Sequence, residues 1–231
     1  MADRPLGTVL VTGGSSGLGA AVVGAVLDAG GTPLVVDLRP PAVEGVDAEA
    51  VDLADGRAAE AAVRALAGRH RGLDAVVTAA GTDACGLLGE VAAEAWERVV
   101  QVNLLGTAAV VRAALPHLEA SGGRVVTVAS TLGLRPLSDA TAYSASKFGV
   151  VGFTRALTLE LAGRVGVTLL VPGGMSTAFF DERDPKYRPP ADAKLARPED
   201  VAGAVLFALA QPPGIEVREL VVTPPTEPSW P

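Results

Sequence analysis

Residues 8–19 read Thr8-Val9-Leu10-Val11-Thr12-Gly13-Gly14-Ser15-Ser16-Gly17-Leu18-Gly19, an apolar run that breaks on glycine and restarts as an alanine- and valine-rich helical pattern. A strand whose glycine turn opens a helix points unpaired N–H groups and the positive end of a helix dipole beyond the strand. Glycines at 13, 17 and 19 keep Cβ atoms out of the way, so the turn, with Ser15, Ser16 and Leu18, suits a pyrophosphate. A glycine turn alone is weak evidence, since a plain tight turn is the alternative; the strand before it and the helix after it favour the ligand-binding reading.

Outward from this unit, strand-length apolar runs alternate with helical patterns. Strands are expected at Thr8–Thr12, Pro33–Asp37, Glu49–Asp52, Ala75–Ala79, Arg124–Ala129, Gly166–Val171 and Glu216–Val222. Helices are expected at Leu18–Ala29, Arg57–Gly68, Ala93–Ala120, Ala142–Ala162 and Pro198–Ala210. Near-continuous Val/Leu strands are those buried on both faces, so the pattern predicts an α/β fold with a doubly wound parallel sheet. Ligands then belong beyond the carboxyl ends of the strands. Asp37 closes the second strand 18 residues after Gly19, where a carboxylate accepts hydrogen bonds from an adenosine ribose and repels a 2′-phosphate. NAD is therefore favoured over NADP, with Arg39 offsetting part of the repulsion or stacking on adenine.

The 231 residues are 49% hydrophobic and 19% charged, which fits one domain, 1–231, with a full core. A net charge of −7 without a basic patch argues against nucleic acid and anionic membranes. One cysteine, Cys85, and two distant histidines, His70 and His117, argue against a disulfide and against a metal site. No apolar window approaches a membrane span, and Met1–Pro5 lacks a signal-peptide pattern, so a cytoplasmic location is expected. The Ala, Val, Gly and Arg richness reads as the codon bias of a GC-rich bacterium.

Tyr143-Ser144-Ala145-Ser146-Lys147 opens a helical run, and the i, i+4 spacing puts phenol and ammonium on one face. A nearby Lys⁺ and an oxidised nicotinamide favour the phenolate, so the Tyr143 pKa is expected to fall. An isolated pair of this kind is usually surface chemistry. Here Ser130 ends a central strand 13 residues upstream, placed to hold a substrate oxygen. Asn103 sits inside a long helix, where an amide needs another task, such as holding a proton-relaying water beside Lys147.

With these residues in place the chain resembles the short-chain dehydrogenase/reductase family, from Thr8 to about Ala210. The match rests on TGGSSGLG at 12–19, Asp37, Asp52-Leu53, AAG at 79–81, Asn103, Ser130, YSASK at 143–147, and Pro172-Gly173 with Thr177. The resemblance implies a Rossmann-like sheet of seven parallel strands in the order 3-2-1-4-5-6-7. It implies catalysis by Ser130, Tyr143 and Lys147 with Asn103 assisting, and Lys147 also on the nicotinamide ribose. Asp52 and Leu53 would meet the adenine, Ala80 and Gly81 the adenosine half, and Pro172, Gly173, Met175 and Thr177 the nicotinamide amide and nearby phosphate. It also implies a homodimer or homotetramer built on the two long helices.

The implied reaction is reversible hydride transfer between NAD and a small secondary alcohol or ketone. A dinucleotide sensor, or an epimerase or dehydratase on the same scaffold, are the alternatives. Two departures stand out. Thr78 replaces the family's usual asparagine and is expected to bond neighbouring backbone; the seventh strand ends in Leu220-Val221-Val222-Thr223-Pro224, a change expected to leave the chemistry alone. Residues 176–197 read as a lid and 224–231 as a proline-rich tail. Leu132, Leu134, Arg135, Phe179 and Phe180 are candidate pocket residues, and Cys85 reads as a half-buried structural thiol at the pocket mouth.

Overall fold

A computed structural model of the chain describes residues 6–41 and 43–230; Met1–Pro5, Ala42 and the last tail residue, Pro231, lie outside it. Seven strands form one parallel sheet: β1 Thr8–Thr12, β2 Thr32–Asp37, β3 Asp47–Ala50, β4 Ala75–Thr78, β5 Arg124–Val128, β6 Gly166–Pro172 and β7 Glu219–Val222. Their order is β3-β2-β1-β4-β5-β6-β7, as expected, and the chain reverses its direction of travel across the sheet between β1 and β4. Every residue from Val9 to Thr12, Pro33 to Val36 and Ala75 to Thr78 is buried. Each such Val or Leu contributes roughly 1.5–3 kcal/mol of burial, so these runs cannot serve as amphipathic edges.

One face of the sheet is covered by α1 (Gly17–Asp28) and α6 (Pro198–Leu209), the other by α2 (Gly56–Arg69), α4 (Thr107–Ser121) and α5 (Thr141–Glu160). α3 (Ala93–Val100) runs into α4 through a π-helical segment, Gln101–Gly106. By length and composition the continuous run Ala93–Ser121 is apolar enough to cross a membrane, contrary to the reading of the sequence. Half of its most apolar window is buried inside the protein, against α2 and the sheet, which accounts for the apolarity.

The edges depart from expectation. β3 lies at 47–50 rather than 49–52, pairing Asp37 with Ala50 and leaving Asp52 in the following turn. As an edge strand of alternating acid and alanine, it carries no apolar run to mark it. β7 begins at Glu219, because residues 216–218 meet β6 partly through side chains: Val167 N donates to Glu216 Oε1 and Thr168 Oγ1 to Val217 O.

Candidate active site

A cavity of 1310 Å³ opens beyond the carboxyl ends of β1, β2, β4, β5 and β6. At its β1 side the turn is packed to the limit. A Cβ on Gly13 would lie 2.7 Å from Ala80 Cα, and one on Gly19 would overlap the Gly13 carbonyl oxygen, so neither position accepts another residue unmoved. Ser16 N-caps α1 with extended backbone and makes no side-chain cap bond, and Ser16, Gly17 and Leu18 line the cavity. A helix start with free N–H donors and no acid in its first turn fits an anionic diphosphate. Ser15 and Gly19 are not in the wall. Ser15 ties the turn to β2 instead, its N–H donating to Asp37 Oδ2 and its hydroxyl to the Arg39 carbonyl.

Asp37, Asp52 and Leu53 line the same wall. Asp37 accepts from Ser15 N at 3.0 Å and Arg39 N at 3.1 Å, leaving lone pairs for ribose hydroxyls. Asp52 accepts from Ala54 N and from Arg98 Nη1 of α3; the backbone bond first, then the guanidinium, hold its carboxyl below the usual range.

α5 is set against β5 by a buried Thr127–Thr154 hydroxyl bond of 2.6 Å. That seating carries Tyr143 and Lys147 into the cleft that Ser130 also lines, where the Ser130 hydroxyl accepts from Leu132 N. Lys147 is buried, its Nζ donates to the Val128 carbonyl at 2.8 Å, and it lies 5.6 Å from the centre of the Tyr143 ring. Desolvation pulls the ammonium down to about 8, with Asp83 opposing. The phenol moves opposite to expectation. Burial, and next the Asp83 carboxylate, push it up to about 12, while the Ser130 hydroxyl and Arg183 pull the other way. In the protein alone, burial and Asp83 outweigh any pull from Lys147: the phenol is half-buried in the cleft wall, and the buried lysine is engaged on backbone.

Asn103 answers the question its helical position raised. It lies in the π-helical segment, buried, accepting from Thr82 N (2.8 Å) and donating to Thr82 O (2.9 Å) and Ser146 Oγ (3.0 Å). A Cβ on Gly81 would sit 3.5 Å from Asn103 Oδ1 and 3.8 Å from Lys147 Nζ, so Asn103 lies behind two residues of the cleft wall. Its amide therefore clamps the loop after β4 to α5. Thr78 does not make the expected bond: its Oγ1 is buried without a partner, and it is Thr12 Oγ1 that receives the Ala80 N–H.

On the far side stand Pro172, Gly173, Met175 and Thr177, with Phe179 and Phe180 beside them. The Phe179 ring lies 5.8 Å from that of Tyr143. Leu132 lines the cleft, but Arg135 is exposed and outside it. After the tight turn Thr131–Gly133, pressed against the Lys147 backbone, the chain turns Leu134 into the core and leads Arg135 away; Leu137 returns to the wall.

Three wall residues, Asp83, Arg183 and Glu227, went unread in the sequence. Asp83 and Arg183 form an ion pair of 2.6 Å, and Cys85 donates to Asp83 at 3.2 Å, its thiol pushed up to about 12 chiefly by burial. Glu227 of the tail accepts from Gly174 N at 2.8 Å and from Ser229 N and Oγ, and Ser229 bonds Thr131 Oγ1 at 2.7 Å. The tail thus joins both flanks of the cleft. A lone acid among prolines carries no local signal of such a contact.

Among known proteins, residues 7–188 match the short chain dehydrogenase family. An uncharacterized oxidoreductase of Staphylococcus aureus is 31% identical over 226 residues, 93% of this chain and 96% of that protein. A glycine betaine reductase of Emericella nidulans is 32% identical over 95% of this chain, which spans only 19% of that longer protein. The ligand-free aldohexose dehydrogenase of Thermoplasma acidophilum has the same fold, with TM-score 0.83 and 23% identity over 94% of this chain and 92% of its own. An alcohol dehydrogenase of Thermococcus sibiricus, solved with 5-hydroxy-NADP, has TM-score 0.83 and 24% identity over 93% of this chain and 95% of its own. With the family match running from β1 past the Tyr143–Lys147 pair, the chain belongs to the short-chain dehydrogenases, oxidoreductases that act on small molecules with a nicotinamide dinucleotide.

Proposed function

We propose that the protein interconverts a secondary alcohol and a ketone with NAD, using Tyr143 as acid and base. The observation that carries this reading is the meeting of Ser130, Tyr143 and Lys147 in the cleft that also holds the uncapped start of α1. Gly13, Ser16, Gly17 and Leu18 would hold the diphosphate, Asp37 the adenosine ribose, Asp52, Leu53, Ala80 and Gly81 the adenine side. Lys147 would hold the other ribose, and Pro172, Gly173, Met175 and Thr177 the carboxamide. When bound, the oxidised nicotinamide supplies the hydride-accepting carbon and a positive charge beside the phenol.

The Ser130 hydroxyl orients the substrate oxygen, and the Tyr143 phenol gives a proton to it in reduction or takes one in oxidation. A phenol held up to about 12 keeps its proton at neutral pH in the protein alone, and the positive charge of a bound oxidised nicotinamide would favour the phenolate that oxidation needs. Asn103 keeps the loop after β4 and α5 in register rather than touching the reacting atoms. Phe179 over Tyr143 excludes water.

Tyr143→Phe is expected to lower turnover about 10²- to 10⁴-fold. Reduced-nicotinamide absorbance over a panel of secondary alcohols and ketones reads this, with dinucleotide affinity measured by calorimetry and retained. Unchanged turnover in the variant would remove Tyr143 from the chemistry. We further propose that the protein works as a homodimer or homotetramer.

A further inference from the structure

The Asp83–Arg183 pair is built into the wall of the cleft. Its side chains are 7% and 18% exposed, whereas every other ion pair among the described residues leaves one partner at least 35% exposed. The two residues lie 100 positions apart, one on the loop after β4, the other on the segment 176–197. That segment is closed at its base by backbone bonds, Ser176 N to Ala196 O and Ala196 N to Gly174 O. Between those ends, Arg183 ties it across the cleft. Its guanidinium lies 4.9 Å from the centre of the Phe179 ring and 4.6 Å from that of Phe180, and Phe179 in turn stands against Tyr143.

Stability alone is a poor reason for this pair. Arg183 Nε is buried without a partner, and Nη1 reaches the Tyr187 carbonyl only at 3.5 Å. A buried ion pair with an unsatisfied donor is seldom better than apolar packing. What the pair does own is its position beside Tyr143.

We propose that Arg183 and Asp83 are positioning residues: together they seat the 176–197 segment on the cleft, and the seated Arg183 sets its charge against that of Asp83 beside the Tyr143 phenol. The charged and titratable groups facing Tyr143 are Lys147 on its own helix, Asp83 and Cys85 on the loop after β4, and Arg183 on the segment, with the Ser130 hydroxyl from the end of β5. A carboxylate disfavours the phenolate and a guanidinium favours it, so a lifted segment leaves Asp83 unopposed. Asp83 acts in the raising direction on Tyr143 and Arg183 in the lowering one. Seating the segment over a substrate then sets the Arg183 charge against the rise that water exclusion itself imposes on Tyr143.

The inference rests on Tyr143 as the acid–base group, but its test needs neither cofactor nor substrate. The chain has two tyrosines, so in a Tyr187→Phe background the ultraviolet signal of tyrosinate reports Tyr143 alone. Stopped-flow pH jumps read it before the protein unfolds in alkali. Asp83→Asn is expected to lower the midpoint by about one pH unit and Arg183→Gln to raise it, with the double variant close to the parent. Shifts in the same direction, or none in proteins whose circular dichroism matches the parent, overturn the proposal. Trypsin cleavage after Lys186 gives a second reading: Arg183→Gln should be cut there several-fold faster, and a cleavage rate equal to the parent's rules out the seating role. Loss of turnover in Tyr143→Phe is a separate result, so failure of the acid–base assignment and failure of this coupling are told apart.

Discussion

Lys147 places an ammonium where water does not reach, and its stability consequence has a definite sign. Its folded value, about 8, lies below the ordinary 10.5, so the folded state is penalised below pH 8 and the penalty fades as pH climbs from 8 to 10.5. Lys147→Met is therefore expected to stabilise the cofactor-free protein at pH 7 by about 1–3 kcal/mol, the lost bond to Val128 O offsetting part of the gain. Urea denaturation at pH 7 and pH 10 checks this: an equal gain at both would show that the buried charge is not its cause. At the other end of the cleft, Asp37→Ser should raise affinity for NADP relative to NAD by roughly tenfold, since a carboxylate facing a phosphate is removed. Calorimetry with both dinucleotides measures the ratio. A wild-type protein that already prefers NADP would end the role assigned to Asp37.

Two elements carry more of the site than their sequences advertise. The π-helical segment Gln101–Gly106 is where Asn103 leaves the helix surface to clamp Thr82 and Ser146, and a widened turn inside an α-helix is the usual way to free such a side chain. The C-terminal tail is the other. A Cβ on Gly173 would overlap Glu227 Oε2, so the glycine and the acid are fitted to one another. Gly173→Ala should cost about 1–3 kcal/mol, and much less in a Glu227→Ala background. A double-mutant cycle by thermal unfolding tests the coupling, and additive costs would show that the contact is slack. Glu227→Ala alone frees the Gly174 N–H and Ser229, and should raise KM for the dinucleotide more than it lowers kcat.

Across the whole molecule, α5 leaves Ala145, Phe148, Gly152, Ala156 and Leu159 exposed at helical spacing on one face. Phe148 is 44% and Leu159 75% exposed, and a contiguous apolar stripe on a folded domain marks a contact surface. Phe148→Glu with Leu159→Glu is expected to turn the proposed oligomer into a monomer, as light scattering after gel filtration would show. A parent protein that runs as a monomer would leave this stripe without the partner proposed for it.

Much of this protein was determined by local chemistry in the chain. The buried Val/Leu strands, the glycine turn before α1 and the i, i+4 spacing of Tyr143 and Lys147 are short-range patterns, and short-range patterns survive in a bare sequence. Their strand order, too, follows once the family pattern is seen. What needed the tertiary structure was every partnership between distant residues: Asp83 with Arg183, Glu227 with Gly174, Asn103 with Thr82 and Ser146. The direction of the Tyr143 shift belongs to the same class, because it depends on how much water the fold removes and which charges it brings near. An i, i+4 lysine is legible from spacing; desolvation and a carboxylate from another loop are not.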